Sequence, residues 1–307
     1  MMKIDSPVYP IAPSFLENED FDIKTTEKYI NYLQGNGANV IMTTAGTSQY
    51  NLLTRKEINL LNDIAVSNFN KQKIIGMPAV STRELLVEIE NVNKKKYTNT
   101  AIMLLYPERF YYNSEIIEWA FSAADLSKYP VFLHGMFIRK GTGGTYNYTS
   151  ELYNELIKHP NIWGTKEETN NLSTAFDVVD GIKNTDFSII VAGGTLRRFM
   201  FLNPAGANSF LSGVGSIFPQ IEEVFYKAHK NNDIVLCKKI IQEYETPLFN
   251  AFKNIGWHPA LREALKIKGL CKFDRKPFVQ IKKEEKKQIK NIITKLETKY
   301  KLDTIFK

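Results

Sequence analysis

Short apolar runs alternate with amphipathic segments along the first two thirds of this chain, and that alternation leaves few folds open. The runs fall at residues 39–43, 73–77, 101–105, 130–133, 162–165, 187–191 and 210–211, after an extended, proline-rich opening at 7–13. Each is too short for a buried helix and suits a strand covered on both faces. The segments between them carry helix signals. Residues 22–33 have a helical pattern closed by Gly35-Asn36-Gly37, Thr54 with Glu57 three residues on reads as a capping box, and Ser81 opens a further capped helix. Helical patterns also cover 113–124, 148–158, 177–182 and 196–202. Strands alternating with helices pair in parallel through right-handed crossovers. Eight such units predict a (β/α)8 TIM barrel in preference to an open doubly wound sheet, a size that one barrel of about 250 residues accommodates.

Beyond Phe218 the pattern turns helical, at about 220–230, 233–249, 260–268 and 283–300. The expected organisation is a barrel over residues 1–232 carrying the active site, then a C-terminal helical extension over 233–307. The net charge of +7 gathers in that extension: from Lys266 onward there are 14 Lys+Arg against 5 Asp+Glu, so the remainder is close to neutral. Those lysines interleave with Ile289, Ile292, Ile293 and Leu296, the spacing of an amphipathic last helix with a solvated basic face. No nucleic-acid partner is expected from such a face. There is no run of eighteen apolar residues to span a membrane, and Met-Met-Lys-Ile-Asp-Ser lacks an apolar leader, which gives a cytoplasmic expectation. Cys237 and Cys271 supply neither a disulfide framework nor metal-ligand spacing.

In a barrel of this kind the chemistry gathers at the C-terminal ends of the strands. That places Thr44 to Ser48, Tyr106 to Tyr112, His134 to Arg139, Lys166, Gly193-Gly194 and Ser212-Gly213 around one mouth. Lys166 closes the apolar run 162–165. An ammonium is costly to bury, so a lysine there either snorkels out or pairs with Glu167 or Glu168, or it serves as a neutral amine that attacks a ketone. His134 ends a strand and reads as a structural or a catalytic histidine. Arg139, in a Gly-rich loop, is a candidate carboxylate clamp. Gly193-Gly194 reads as a phosphate cradle or a turn, and Tyr111 and Tyr112 as proton relays or interface aromatics. No metal-ligand cluster, Gly-x-Ser-x-Gly elbow or Gly-x-Gly-x-x-Gly fingerprint is present. The residues that remain suit carbonyl chemistry on an acidic substrate.

Pro160-Asn161-Ile162-Trp163-Gly164-Thr165-Lys166-Glu167-Glu168-Thr169 resembles the Schiff-base strand of the dihydrodipicolinate synthase / N-acetylneuraminate lyase family, the pyruvate-dependent class I aldolases. Ala45-Gly46-Thr47-Ser48-Gln49 is similar to that family's carboxylate loop, and 130–139 to the segment that carries its proton-shuttling tyrosine. The resemblance implies that Lys166 condenses with the 2-keto group of pyruvate and that Thr47 and backbone N–H groups hold the carboxylate. The shuttling tyrosine falls on His134, the first hydroxyl of the loop on Gly46 and its glutamate on Gln49. Tyr111 and Tyr112 lie near the position of a relay tyrosine lent by a neighbouring subunit.

The implied site is Lys166 and His134 as catalytic residues, with Gly46, Thr47, Arg139, Gly193 and Leu211 binding substrate. The implied activity is a Schiff-base lyase or aldolase on a 2-keto-3-deoxy sugar acid type of substrate, with pyruvate and an aldehyde as its halves. The alternatives are a dihydrodipicolinate synthase-like or N-acetylneuraminate lyase-like activity, or a non-catalytic 2-keto acid binder. No metal and no cofactor beyond the covalent Schiff base on Lys166 is implied, and the assembly is a homo-oligomer, dimer or homotetramer. An imidazole of ordinary pKa in the tyrosine's place predicts a pH limb between about 6 and 8.

Overall fold

A computed structural model describes residues 3–78, 81–105, 109–110, 112–136, 138–140, 145–183, 186–278 and 281–306. In chain order the elements are β1 (Val8–Pro10), α1 (Ile23–Gly35), β2 (Val40–Met42), α2 (Arg55–Asn68), β3 (Gln72–Met77), α3 (Thr82–Asn93), β4 (Thr100–Leu104) and β5 (Arg109–Phe110). Next come α4 (Asn113–Leu126), β6 (Val131–Gly135), β7 (Ile138–Lys140), β8 (Thr145–Tyr146), α5 (Ser150–Leu156), β9 (Ile162–Glu167), α6 (Leu172–Asp180), β10 (Ser188–Val191), α7 (Thr195–Leu202) and β11 (Ser209–Phe210). The helices α8 (Pro219–Lys230), α9 (Ile234–Ile240), α10 (Thr246–Phe252), α11 (Trp257–Ile267) and α12 (Lys283–Leu302) complete it. Eight strands form one sheet in the order β1-β2-β3-β4-β6-β9-β10-β11, and a parallel bridge from Val8 to Leu211 joins its ends. The fold is a (β/α)8 TIM barrel with additional C-terminal helices.

Contacts divide the chain into two compact units. One comprises the N-terminal residues through Val8 together with Asn70–Leu211. Its barrel strands are largely buried: Ile75, Ile102, Met103, Phe132, Leu133, Ile190 and Val191 have no exposed surface. Register along β6 and β9 pairs Phe132 with Gly164, Leu133 with Thr165, His134 with Lys166 and Gly135 with Glu167. Side chains alternate in direction along a strand, so Phe132 and His134 share one face with Gly164 and Lys166. Gly164 is glycine for a packing reason, because a Cβ there would meet the Phe132 ring at 2.3 Å. Asn161 fixes the start of β9 by donating through its side-chain amide to the carbonyls of Ala124, Ser127 and Tyr129.

Three short strands missed by the sequence reading, β5, β7 and β8, form a separate sheet in the order β5-β7-β8. At two or three residues each they are too short for a period to register.

The second unit comprises Tyr9–Phe69 and Ser212–Lys307. Here the C-terminal helices are tied to the early chain by polar clamps. Arg262, almost fully buried on α11, donates to the carbonyls of Pro13 and Phe273, at 2.7 Å each, and pairs with Asp274. Arg275 grips both carboxylate oxygens of Glu57 at 2.7 and 2.8 Å, and Glu57 also completes the capping box on Thr54. On α12, Ile289, Ile293 and Leu296 of the expected stripe are buried and Ile292 is half-buried.

The single helix expected over 233–249 is interrupted instead. Residues Ile241–Glu245 are π-helical between α9 and α10. Pro247 has no N–H to give to a carbonyl one turn earlier, and a widened turn is one way a helix passes such a gap.

Candidate active site

β9 ends on Thr165-Lys166-Glu167, and each of the three side chains is buried. Thr165 and Glu167 point to the helices. The Thr165 hydroxyl donates to the Leu133 carbonyl at 3.1 Å and lies 3.0 Å from the Tyr153 hydroxyl of α5. Glu167 accepts from the Thr169 N–H at 2.7 Å and from Arg198 Nη2 at 2.8 Å, and the same Nη2 donates to the Thr169 carbonyl at 2.7 Å. Removing one partner of such a buried pair leaves the other charge uncompensated, a loss of about 3–5 kcal/mol. This clamp holds the backbone on both sides of residue 168.

Lys166 faces the other way, toward His134. Its Nζ lies 2.7 Å from His134 Nε2 and 2.6 Å from Glu168 Oε2, and Nε2 lies 2.8 Å from that same carboxylate oxygen. The three atoms form a triangle with every side at hydrogen-bond length. Burial pushes the Lys166 ammonium down from its ordinary range, against the opposing pull of Glu168 and Glu167. Burial and the adjacent Lys166 charge push His134 down to about 4, with Glu168 opposing. For Glu168, burial acts upward, but the Lys166 charge and the hydrogen bonds from His134 and Lys166 outweigh it and hold the carboxyl well below the usual range. The triangle therefore sets a carboxylate and a neutral imidazole against a lysine whose burial favours the loss of its proton. A proton released by Nζ has Nε2 within one hydrogen bond, and Nε2–H would in turn donate to Glu168. His134 Nδ1 is buried and has no hydrogen-bond partner among the described residues.

The sequence reading paired Lys166 with a neighbouring glutamate or made it a nucleophile. The ion pair with Glu168 is present, and burial lowers the Lys166 pKa beside it. What that reading missed was Glu168 as a member of the site. Its signal was the second glutamate after the lysine, which side-chain alternation puts on the Lys166 face once the strand is set.

The other expected residues are dispersed. Leu211 donates its N–H to the Val191 carbonyl at 2.8 Å. Gly193 follows β10 with a φ of +79°, which only glycine adopts freely, and α7 begins two residues on. Arg139 sits in β7 opposite Arg109 and Thr145; its side chain, like Tyr106 and Tyr111, lies outside the described residues. Tyr112 is 71% exposed.

Gly46 and Thr47 belong to the second unit. Their loop is closed by the Ser48 hydroxyl, which donates to the Ile11 carbonyl at 2.6 Å and accepts from the Thr44 N–H at 3.0 Å. A Cβ on Gly46 would stand 3.1 Å from His258 Nε2, so an imidazole borders the space a side chain would take. Gln49 is in the left-handed region, with φ 55°, and neither end of its buried amide has a partner among the described residues.

Residues 6–296 match the model of the dihydrodipicolinate synthetase family. The chain belongs to this family. It is accordingly an enzyme of the class I aldolase and lyase type. Among its relatives, a probable mitochondrial 4-hydroxy-2-oxoglutarate aldolase from Emericella nidulans is 25% identical over 293 residues, covering 92% of this chain and 91% of that protein. A 4-hydroxy-tetrahydrodipicolinate synthase from Archaeoglobus fulgidus is 24% identical over 291 residues, covering 92% and 95%. The solved dihydrodipicolinate synthase of Bacillus anthracis superposes with a TM-score of 0.82 at 18% identity, over 96% of this chain and 99% of that one. The family's Schiff-base chemistry needs a nucleophilic amine, and Lys166 has the burial and the neighbours to supply one.

One expectation is corrected by the geometry. The limb between about pH 6 and 8 assumed an imidazole of ordinary pKa, whereas His134 is buried beside a cation and is pushed down to about 4. Among the described residues no group of three or more His, Cys, Asp or Glu could hold a metal ion, and no helix is long and apolar enough to cross a membrane.

Proposed function

We propose that this enzyme joins or splits a 2-keto acid of the 2-keto-3-deoxy sugar acid type, with pyruvate as one half and an aldehyde as the other. The observation that carries the reading is the buried Lys166 amine at 2.7 Å from a neutral imidazole. Desolvation favours the neutral amine, which attacks the 2-keto carbon. The protonated imine then withdraws electrons from the bond to be broken. His134, within one hydrogen bond of the reacting nitrogen, is the proton shuttle for the substrate hydroxyl and the enamine carbon. The fungal relative's name as an aldolase of a 4-hydroxy-2-oxo acid supports this class of substrate. Other relatives carry the synthase name, which keeps a synthase-like condensation as the second reading.

Pyruvate with borohydride is expected to label Lys166 irreversibly, read by intact mass and peptide mapping. Label elsewhere, or none, overturns the Schiff-base reading and leaves the chain a 2-keto acid binder. An aldehyde panel scored by pyruvate consumption then separates sugar-acid lyase from synthase.

Gly46, Thr47, Gly193 and Leu211 are proposed for the pyruvyl half and Arg139 for the distal half. Arg139→Ala is therefore expected to weaken turnover far more than pyruvate trapping, since a desolvated charged contact contributes roughly 2–5 kcal/mol. We propose, further, a cytoplasmic homotetramer or dimer that needs no added cofactor. Light scattering on the purified protein measures the assembly.

A further inference from the structure

Glu168 differs from its two partners in access. Its side chain is 34% exposed, against 4% for Lys166 and 2% for His134. It is the member of the triangle that meets solvent. It is also held in place: its N–H donates to the Gly135 carbonyl at 3.2 Å, and the Glu167–Arg198–Thr169 clamp fixes the chain on either side. A solvated carboxylate normally has no reason to be this constrained. Here one oxygen touches both the attacking nitrogen and its neighbouring base.

We propose that Glu168 is the acid–base group through which protons enter and leave the Lys166 site during imine formation. The inference rests on the Schiff-base reading above and adds a residue to it. The step balances as follows. The Lys166 ammonium passes one proton to the Glu168 carboxylate and becomes the amine. The nitrogen lone pair attacks the 2-keto carbon, and the carbonyl π pair moves to oxygen. His134 Nε2 carries a second proton from nitrogen to that oxygen, giving a neutral carbinolamine. The Glu168 carboxyl then protonates the hydroxyl, which leaves as water, while the nitrogen lone pair closes the C=N bond. The products are a protonated imine, water and the carboxylate again; no oxidant or further reactant is needed. Glu168 touches the reacting nitrogen, so it is a catalytic residue in this scheme, and the alternative is a purely structural ion pair.

The test is pyruvate trapping on Lys166 in the full-length protein, followed as a rate across pH. In Glu168→Gln the trapping rate at pH 7 is expected to fall by a factor on the order of 10² to 10⁴. Its pH midpoint is expected to move to lower pH, because the carboxylate that favours the ammonium is gone. Glu168→Ala should regain rate with added formate, as the site is open to solvent, whereas a structural lesion is not rescued by a small acid. Thermal melts show which variant folds, and where Glu168→Gln does not, formate rescue of a folded Glu168→Ala decides. Trapping in Glu168→Gln at the wild-type rate with an unmoved midpoint overturns the proposal, and so does absence of rescue in a folded Glu168→Ala. Failure of the wild type to label at Lys166 instead removes the Schiff-base reading itself.

Discussion

His134 and Lys166 stand opposite each other on adjacent parallel strands, with their side-chain nitrogens 2.7 Å apart. The pair is set by register, so a one-residue slip of β9 would turn Lys166 to the helices and put Thr165 or Glu167 in its place. Phe132 over Gly164 secures that register one step below, because no other residue fits under the ring.

The first expectation concerns His134. With its pKa pushed down to about 4, the imidazole should be neutral throughout pH 6 to 8, and turnover should show no limb from it there. Nitrogen-15 NMR of labelled histidines checks this directly. The sign for stability follows from a folded pKa below the ordinary 6.5: the contribution is full above about 6.5 and is lost as pH falls through 4. His134→Phe should cut turnover by a factor on the order of 10² to 10⁴ while slow trapping on Lys166 persists. Wild-type-like turnover in that variant would make the histidine a packing residue.

A second expectation follows from Gly46. A side chain there crowds His258 Nε2, whose distance to an added Cβ is 3.1 Å. Gly46→Thr should destabilise by about 1–3 kcal/mol, the range for overpacking. Adding His258→Ala should return most of that loss. A urea titration of the four proteins measures the coupling, and simple additivity would mean the imidazole moves aside freely.

How much of this was legible beforehand depends on the range of the interaction. The barrel was readable because its strands are apolar on both faces and its helices carry local caps; Ser81 and the Thr54–Glu57 box stand where the spacing put them. Lys166 was readable because a lysine closing a buried strand violates a local rule. Glu168 was visible as a charge, but its part in the site depends on His134, thirty-four residues earlier in the chain. The π-helical turn at Ile241–Glu245 is a backbone answer to Pro247 that a binary pattern does not encode. Likewise, the pKa of His134 comes from burial next to a cation, and neither is written in the residues beside it.

Gly135 supports a third expectation. A Cβ there would lie 1.9 Å from the Tyr153 hydroxyl, which in turn lies 3.0 Å from the Thr165 hydroxyl beside Lys166. Gly135→Ala must displace that ring, and should destabilise by about 1–3 kcal/mol and slow trapping on Lys166. Tyr153→Phe removes the clashing oxygen. The double variant should therefore be less impaired than the two single losses summed, and an additive result would place the strain elsewhere.

The last expectation lies in the second unit, at Glu222 on α8. It is fully buried, its Oε1 accepts from the Gly213 N–H at 2.9 Å, and a Cβ on Gly215 would come within 2.4 Å of its Oε2. Burial pushes its carboxyl up to about 7, against the pull of Gly215, Ser212 and Gly213, and Glu245 adds to the rise. A folded pKa above the ordinary 4.5 means the folded state keeps a proton that the unfolded chain gives up. Its contribution is then full below about pH 4.5 and is lost as pH rises through 7. At 1.36 kcal/mol per pH unit the total is about 3 kcal/mol by pH 8. Glu222→Gln, which cannot ionise, should match the wild type near pH 5 and exceed it by roughly that amount at pH 8 in urea unfolding. An equal difference at the two pH values would show that Glu222 stays ionised when folded.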